Sequence, residues 1–217
     1  MKQVPRRGQA LHSWLWFMQA VTGVGLALFA LIHMLDVGTV IFGKEFYDKV
    51  AKFLEHGWIS PVTVTVTWLV GIALILHAIN GIRVASRPYL NAGTTWRHSR
   101  GLRHSGTWYW VFQVVSGSLI VAFAVIHWFW IHSFDGGVVE FAKSIGRVSN
   151  NWYVAFYVVF LATLIYHSAN GVRAALIKIG LCSEKHQQQK LLRVVWGVGG
   201  ALFALGIISL IMFRAHV

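Results

Sequence analysis

Four histidines of this chain lie deep inside apolar, helix-length segments, and they form two matched pairs. Residues Gln19 to His33 read Q-A-V-T-G-V-G-L-A-L-F-A-L-I-H, and Gln113 to His127 read Q-V-V-S-G-S-L-I-V-A-F-A-V-I-H. The Gln, the Gly (Gly23, Gly117) and the His fall at identical offsets. A second motif, H-x-x-N-G-[IV]-R, occurs at His77–Arg83 and again at His167–Arg173. An imidazole in hydrocarbon is costly unless it has a partner. A lone one is more often a helix–helix hydrogen-bonding group, but four at matched positions imply a ligand-binding interior. Two irons, each gripped by two imidazoles within a porphyrin, are the economical reading. The single cysteine, Cys182, excludes a disulfide framework, an iron–sulfur cluster and a C-x-x-C-H attachment. Any haem is therefore b-type, held without thioether bonds.

The elements that must carry these side chains are membrane helices. The chain has 217 residues, 56% of them apolar, with seven acids and 11 Trp, which is membrane composition. Five stretches are long enough to cross about 30 Å of hydrocarbon: Trp14–Val37, Pro61–Ala85, Trp108–Ile131, Asn151–Ile177 and Leu191–Phe213. Charges or Trp and Tyr flank each one, as interfacial anchors. The first is too long, and lacks the small-residue cleavage site, for a removable signal peptide. Residues 1–217 are thus read as one all-α transmembrane domain. The duplication relates spans one and two to spans three and four, and span five stands outside it. The alternation of charged and apolar residues over Lys44–Glu55 predicts a short surface helix.

The net charge of +12 does not mark a nucleic-acid binder. With the N-terminus inside and the C-terminus outside, thirteen Lys and Arg fall on inner segments and six on outer ones, in keeping with the positive-inside rule. Six of the seven acids fall on the outer side.

This topology assigns depth. His33 and His127 each lie 19 residues past the start of an outward-running span, roughly 28 Å along a helix rising ~1.5 Å per residue. His77 and His167 lie nearer the inner ends of inward-running spans. Height therefore pairs His33 with His127 and His77 with His167, some 10–15 Å apart by the same rise, in a four-helix bundle made by the first four spans. Gly81 and Gly171 share a face with His77 and His167 and permit close approach of a macrocycle or a helix. Gly23 and Gly117 sit roughly 80° off their own histidines by helical rotation, suited to a helix or haem-edge contact. Gln19 looks into the inner level. Arg83, Arg173 and Lys178 are candidate partners for haem propionates, anions that need cations.

The matched Q-x-[VA]-[TS]-G…H spans, the H-x-x-N-G-[IV]-R motifs, the five spans and the four internal histidines resemble, over the whole chain, the dihaem cytochrome b subunit of fumarate reductases and succinate:quinone oxidoreductases. The resemblance implies two haem b groups, a proximal one on His77 and His167 and a distal one on His33 and His127. It places Gln19, Trp110 and Lys178 near haem, and Glu55 near the distal haem as the acid of a quinol site. Without the resemblance, Glu55 reads as a solvated loop carboxylate. The resemblance also implies a flavoprotein and an iron–sulfur subunit docked on the cytoplasmic face of a bacterial inner membrane. The basic run Arg97, Arg100 and Arg103, with His98 and His104, suits such docking. Menaquinol is the implied substrate, and a dimer of heterotrimers is an allowed assembly.

One departure matters. Some dihaem members carry a Glu two residues before the fourth haem histidine, tied to compensating proton transfer, whereas this chain has Ile165 there. A proton route beside the haems is thus not expected through that position, and turnover is either electrogenic or compensated by other groups. Two other readings stay open on the residues alone. One is a dihaem anchor for a different dehydrogenase, such as a formate dehydrogenase or a hydrogenase. The other is a transporter built from a repeated helix pair, with histidines that bind a metal or relay protons.

Overall fold

The computed structural model describes residues 6–89 and 105–217. The basic run Arg97–His104 lies outside the described residues. The elements are all helical: α1 (Arg6–Gly38), α2 (Lys44–Glu55), α3 (Ser60–Tyr89), α4 (Ser105–Ser133), α5 (Phe141–Val148), α6 (Asn151–Lys178) and α7 (Lys185–Arg214), with 3₁₀ turns at Thr39–Phe42 and Gly57–Ile59. Five of them, α1, α3, α4, α6 and α7, are long and apolar enough to cross a membrane. They are apolar on nearly every face, as lipid-facing helices are. Exposed Leu28, Ile32, Val64, Leu69, Val125 and Phe129 stand where lipid tails would meet them.

Four of the long helices contact in a ring: α1 with α3, α3 with α4, α4 with α6, and α6 with α1. Helices α1 and α4 are therefore diagonal, as are α3 and α6. Helix α7 leans on the outside of this ring against α6 and α1. Small residues let it approach. A Cβ on Gly206 would come within 2.5 Å of Leu161 Cδ2, one on Gly199 within 2.9 Å of Ile165 Cγ2, and one on Gly38 of α1 within 2.8 Å of Leu205 Cδ1. Without a hydrophobic force between helices in lipid, such close contact is what holds them.

Helices α2 and α5 cap one end of the ring. Most of the buried apolar side chains among the described residues gather there: Val40, Tyr47, Phe141, Val148 and Phe213 are buried together. Two acids on one face of α2 tie the cap down. Asp48 Oδ1 accepts the backbone N–H of Phe141 at 2.8 Å, and Glu55 Oε1 accepts that of Val139 at 2.6 Å. The chain enters α2 and leaves it through Gly43 (φ 96°) and Gly57 (φ 77°), a left-handed geometry that suits only glycine.

Candidate ligand sites between diagonal histidines

Each histidine pair joins two diagonal helices across the ring. His33 of α1 meets His127 of α4 with ring centroids 6.2 Å apart, nearer the capped end. His77 of α3 meets His167 of α6 at 6.3 Å, nearer the opposite end. The planes are steeply inclined, at 65° and 82°. Two imidazoles clamping one metal ion would stand about this far apart, given about 2 Å per metal–nitrogen bond and about 1.1 Å from nitrogen to ring centre.

The repeated motifs of adjacent helices interlock around the His77–His167 level. Gly23 packs under the ring of His77, and Gly117 under that of His167, with a notional Cβ 2.8 Å and 2.9 Å from the respective Cε1 atoms. Gly81 and Gly171 face the amides of Gln19 and Gln113, at 3.4 Å and 3.3 Å from Nε2. So the glycine of each Q…G…H span makes a helix contact, against the histidine of the neighbouring spanning helix. The glycine of each H-x-x-N-G motif makes room for a glutamine.

Hydroxyls fix the imidazoles of this level. Thr22 Oγ1 donates to the carbonyl of Met18 at 2.7 Å and lies 3.0 Å from His77 Nδ1. Its one proton is committed, so it accepts from Nδ1–H, and the Nε2 lone pair is left to face outward from that bond. Gln19 Nε2 stands 3.1 Å from this Nε2. Across the ring Ser116 Oγ donates to the Gln113 carbonyl at 3.1 Å and lies 3.1 Å from His167 Nδ1, which also meets that carbonyl at 3.1 Å. Gln113 Nε2 in turn donates to the carbonyl of His167 at 3.1 Å.

The His33–His127 level is built differently. His127 Nδ1 meets the phenol of Tyr157 at 3.3 Å, while His33 stacks on Phe29 at 5.7 Å with planes 7° apart. Above it, at the capped end, Arg147 is buried and ion-paired with Asp135. Arg147 also donates to Ser144 Oγ at 2.8 Å, and Ser144 meets Tyr47 OH at 3.3 Å.

The remaining candidates fall at the periphery of these levels. Lys178 Nζ lies 2.9 Å above the ring of Trp16. Arg173 is half-buried, with its Nε lacking a hydrogen-bond partner. Arg83 is exposed, and Trp110 is half-buried on α4. Glu55 is half-buried in the cap, bonded to Val139. Burial raises its carboxyl above the usual range, and the Val139 bond acts in the opposite direction. Sequence reasoning passed over Thr22 and Ser116, although both stand in the quoted motif directly before the glycine. It also passed over Tyr157 and the Arg147–Asp135 pair, which carry no motif.

The donor set suits a b-type haem. Among the described residues no group of three or more His, Cys, Asp or Glu gathers at one point, so each level offers two imidazoles, the number an iron porphyrin lacks. Buried Gln19 Oε1, Gln113 Oε1 and Arg173 Nε have no protein partner. They are polar atoms of the kind a bound polar group satisfies.

The profile of a family described as succinate dehydrogenase/fumarate reductase transmembrane subunit matches this chain twice, over residues 5–87 and 86–208. The chain belongs to that family. The double match divides the chain near the junction between its two repeats. As a member, this chain is a multi-pass bacterial membrane protein, the anchor of a succinate dehydrogenase or fumarate reductase complex. It is 28% identical over 203 residues to the fumarate reductase cytochrome b subunit of Helicobacter pylori, covering 91% of this chain and 78% of that one. The fumarate reductase cytochrome b subunit of Wolinella succinogenes is 26% identical, covering 81% and 70%. The succinate dehydrogenase cytochrome b558 subunit of Bacillus subtilis is 22% identical, covering 88% and 91%.

Proposed function

We propose that this family member is the dihaem cytochrome b subunit of a menaquinol:fumarate reductase or succinate:quinone oxidoreductase, with His77 and His167 as the axial ligands of one haem b and His33 and His127 as those of the other. The observation that carries the reading is the pair of cross-ring imidazole contacts, at 6.2 Å and 6.3 Å, between diagonal helices of a duplicated bundle. The names of the relatives support it. When bound, the two haems would supply one-electron transfer between membrane quinol and an iron–sulfur partner.

The protein's own groups orient, pair and accept protons. Thr22 and Ser116 hold the inner imidazoles, and Tyr157 holds one of the outer pair. Arg83, Arg173, Lys178, Gln19 and Trp110 make the polar surroundings of the inner level, where propionates need cations. Glu55 accepts a proton as quinol is oxidised at the capped end, which faces outward in the N-in, C-out topology. The dicarboxylate chemistry resides on a flavoprotein partner, with an iron–sulfur subunit between it and this chain on the cytoplasmic face.

The test is a reduced-minus-oxidised visible spectrum with haem quantitation on the purified complex, repeated for each of the four His→Ala variants. Two haems per chain are expected in the parent, with one lost in each variant. A complex without haem bands, or four variants that keep both haems, overturns the reading.

A further inference from the structure

The two levels share a repeat but not a hydrogen-bond pattern. Thr22 and Ser116 occupy the same repeat position, and both hydroxyls meet the Nδ1 atom of a histidine on the neighbouring helix, at 3.0 Å and 3.1 Å. The other level breaks this symmetry. The repeat counterpart of Tyr157 is Thr67, which bonds back to the Thr63 carbonyl of its own helix at 2.9 Å and leaves His33 to the face of Phe29. Near the His77–His167 level, therefore, a committed hydroxyl accepts from each ring, with His167 Nδ1 shared between Ser116 and the Gln113 carbonyl at 3.1 Å, and each hydroxyl is itself anchored to a carbonyl one turn back.

An imidazole that donates its second N–H is locked in tautomer and orientation, and its metal-facing nitrogen becomes more basic. We propose that Thr22 and Ser116 are positioning residues that set the reduction potential at the His77–His167 level and leave the His33–His127 level unchanged. The inference rests on the dihaem reading above. More basic nitrogens favour ferric over ferrous iron, so removal of the hydroxyls raises the potential at that level. The substitution keeps the shape: Thr22→Val is isosteric, and Ser116→Ala removes one buried atom.

The experiment is a potentiometric titration of the purified complex, followed in the visible bands, for the parent, Thr22→Val, Ser116→Ala and the double variant. Two one-electron steps are expected in each. In the double variant one step moves to higher potential by about a tenfold change in its equilibrium, about 59 mV for one electron, and the other stays. Each single variant moves the same step by less, which keeps the test open if the double variant loses pigment. Thr22→Ser and Ser116→Thr, which retain the hydroxyl, stay at the parent values. Tyr157→Phe moves only the other step. Fully pigmented variants with both steps unmoved, or with both moved equally, overturn the assignment. A preparation without pigment in the parent counts instead against the dihaem reading, so the two failures are separable.

Discussion

The ring of His77 lies against the bare backbone of Gly23, so closely that a Cβ there would stand 2.8 Å from Cε1. Gly117 and His167 repeat the contact at 2.9 Å. Each glycine thus sets where the imidazole of the next helix can sit, and the ring cannot retreat without tilting its nitrogen off the bundle axis.

Gly23→Ala and Gly117→Ala should each disturb the same level. Overpacking at a fixed site costs about 1–3 kcal/mol, and here the atom that must yield is a ring carbon of a ligand candidate. The expected result is a complex that still inserts but loses about one haem of two, with the pigment of the other level retained. Gly25→Ala is the control, since a Cβ there meets nothing within 4 Å, and it should keep both. Haem quantitation against protein on the purified variants decides the matter.

Glu55 has one oxygen committed to Val139 N–H at 2.6 Å, a bond that Gln can also accept. Glu55→Gln should therefore fold, keep both pigments and lose quinol oxidation by about a hundredfold, the low side of general-base effects of about 10²–10⁴. The sign of the pH effect follows from burial. The carboxyl sits above its ordinary range, and in the proposed role its base form is the active one, so the rate should climb with pH through a window displaced above that of a solvated glutamate. The same shift means the folded protein holds this proton more tightly than the unfolded chain does. The contribution to stability is full at low pH and is lost as pH rises through the raised value. A pH–rate profile of quinol oxidation that is unchanged in Glu55→Gln would remove the acid role and leave Glu55 as a strut of the cap.

The ion pair of Arg147 with Asp135 predicts where the capped end is weakest. Both side chains are nearly buried, and breaking a buried pair by removing one partner costs about 3–5 kcal/mol because a charge is left uncompensated. Asp135→Asn should shorten the half-life of the solubilised complex at elevated temperature many-fold, a kinetic measure suited to irreversible unfolding. Replacing both, Asp135→Asn with Arg147→Met, should recover part of the loss. Equal losses in the single and double variants would show that the charge pairing is not what matters.

The five spans were legible because lipid demands long apolar runs. The standing of His33 level with His127 was legible too, because helical rise converts residue counts into height. The service of Gly23 to His77 was not legible, since rotation about one helix relates a residue only to its own neighbours and the partner here is on another. Helix α2 matched the alternation over Lys44–Glu55, whereas α5 escaped notice at eight residues. Arg147 read as one more outer-face cation, because burial of a charge depends on a partner 12 positions away that the chain does not announce. The inward face of Glu55 is of the same kind: its bond reaches Val139, 84 residues on.

Ile165 carries the last prediction. Its Cγ2 would meet a Cβ on Gly199 at 2.9 Å, so the side chain is wedged between α6 and α7 in an apolar seam. A carboxylate placed there would be desolvated, at a cost of roughly 2.5–3.5 kcal/mol on insertion scales. None of the seven acids of the chain lies in the middle of a span, so charge compensation beside the electron path has no carboxylate to use. On the proposed dihaem reading, electrons that cross from the capped end to the partner face then move net charge. In proteoliposomes, quinol-driven fumarate reduction by the whole complex should build a membrane potential that a voltage-sensitive dye reports and an uncoupler collapses. Turnover at full rate with no dye response would mean that protons cross with the electrons by some other set of groups. Ile165→Glu sharpens the test: a working relay needs more than one carboxylate, so the variant should lose stability without abolishing the potential.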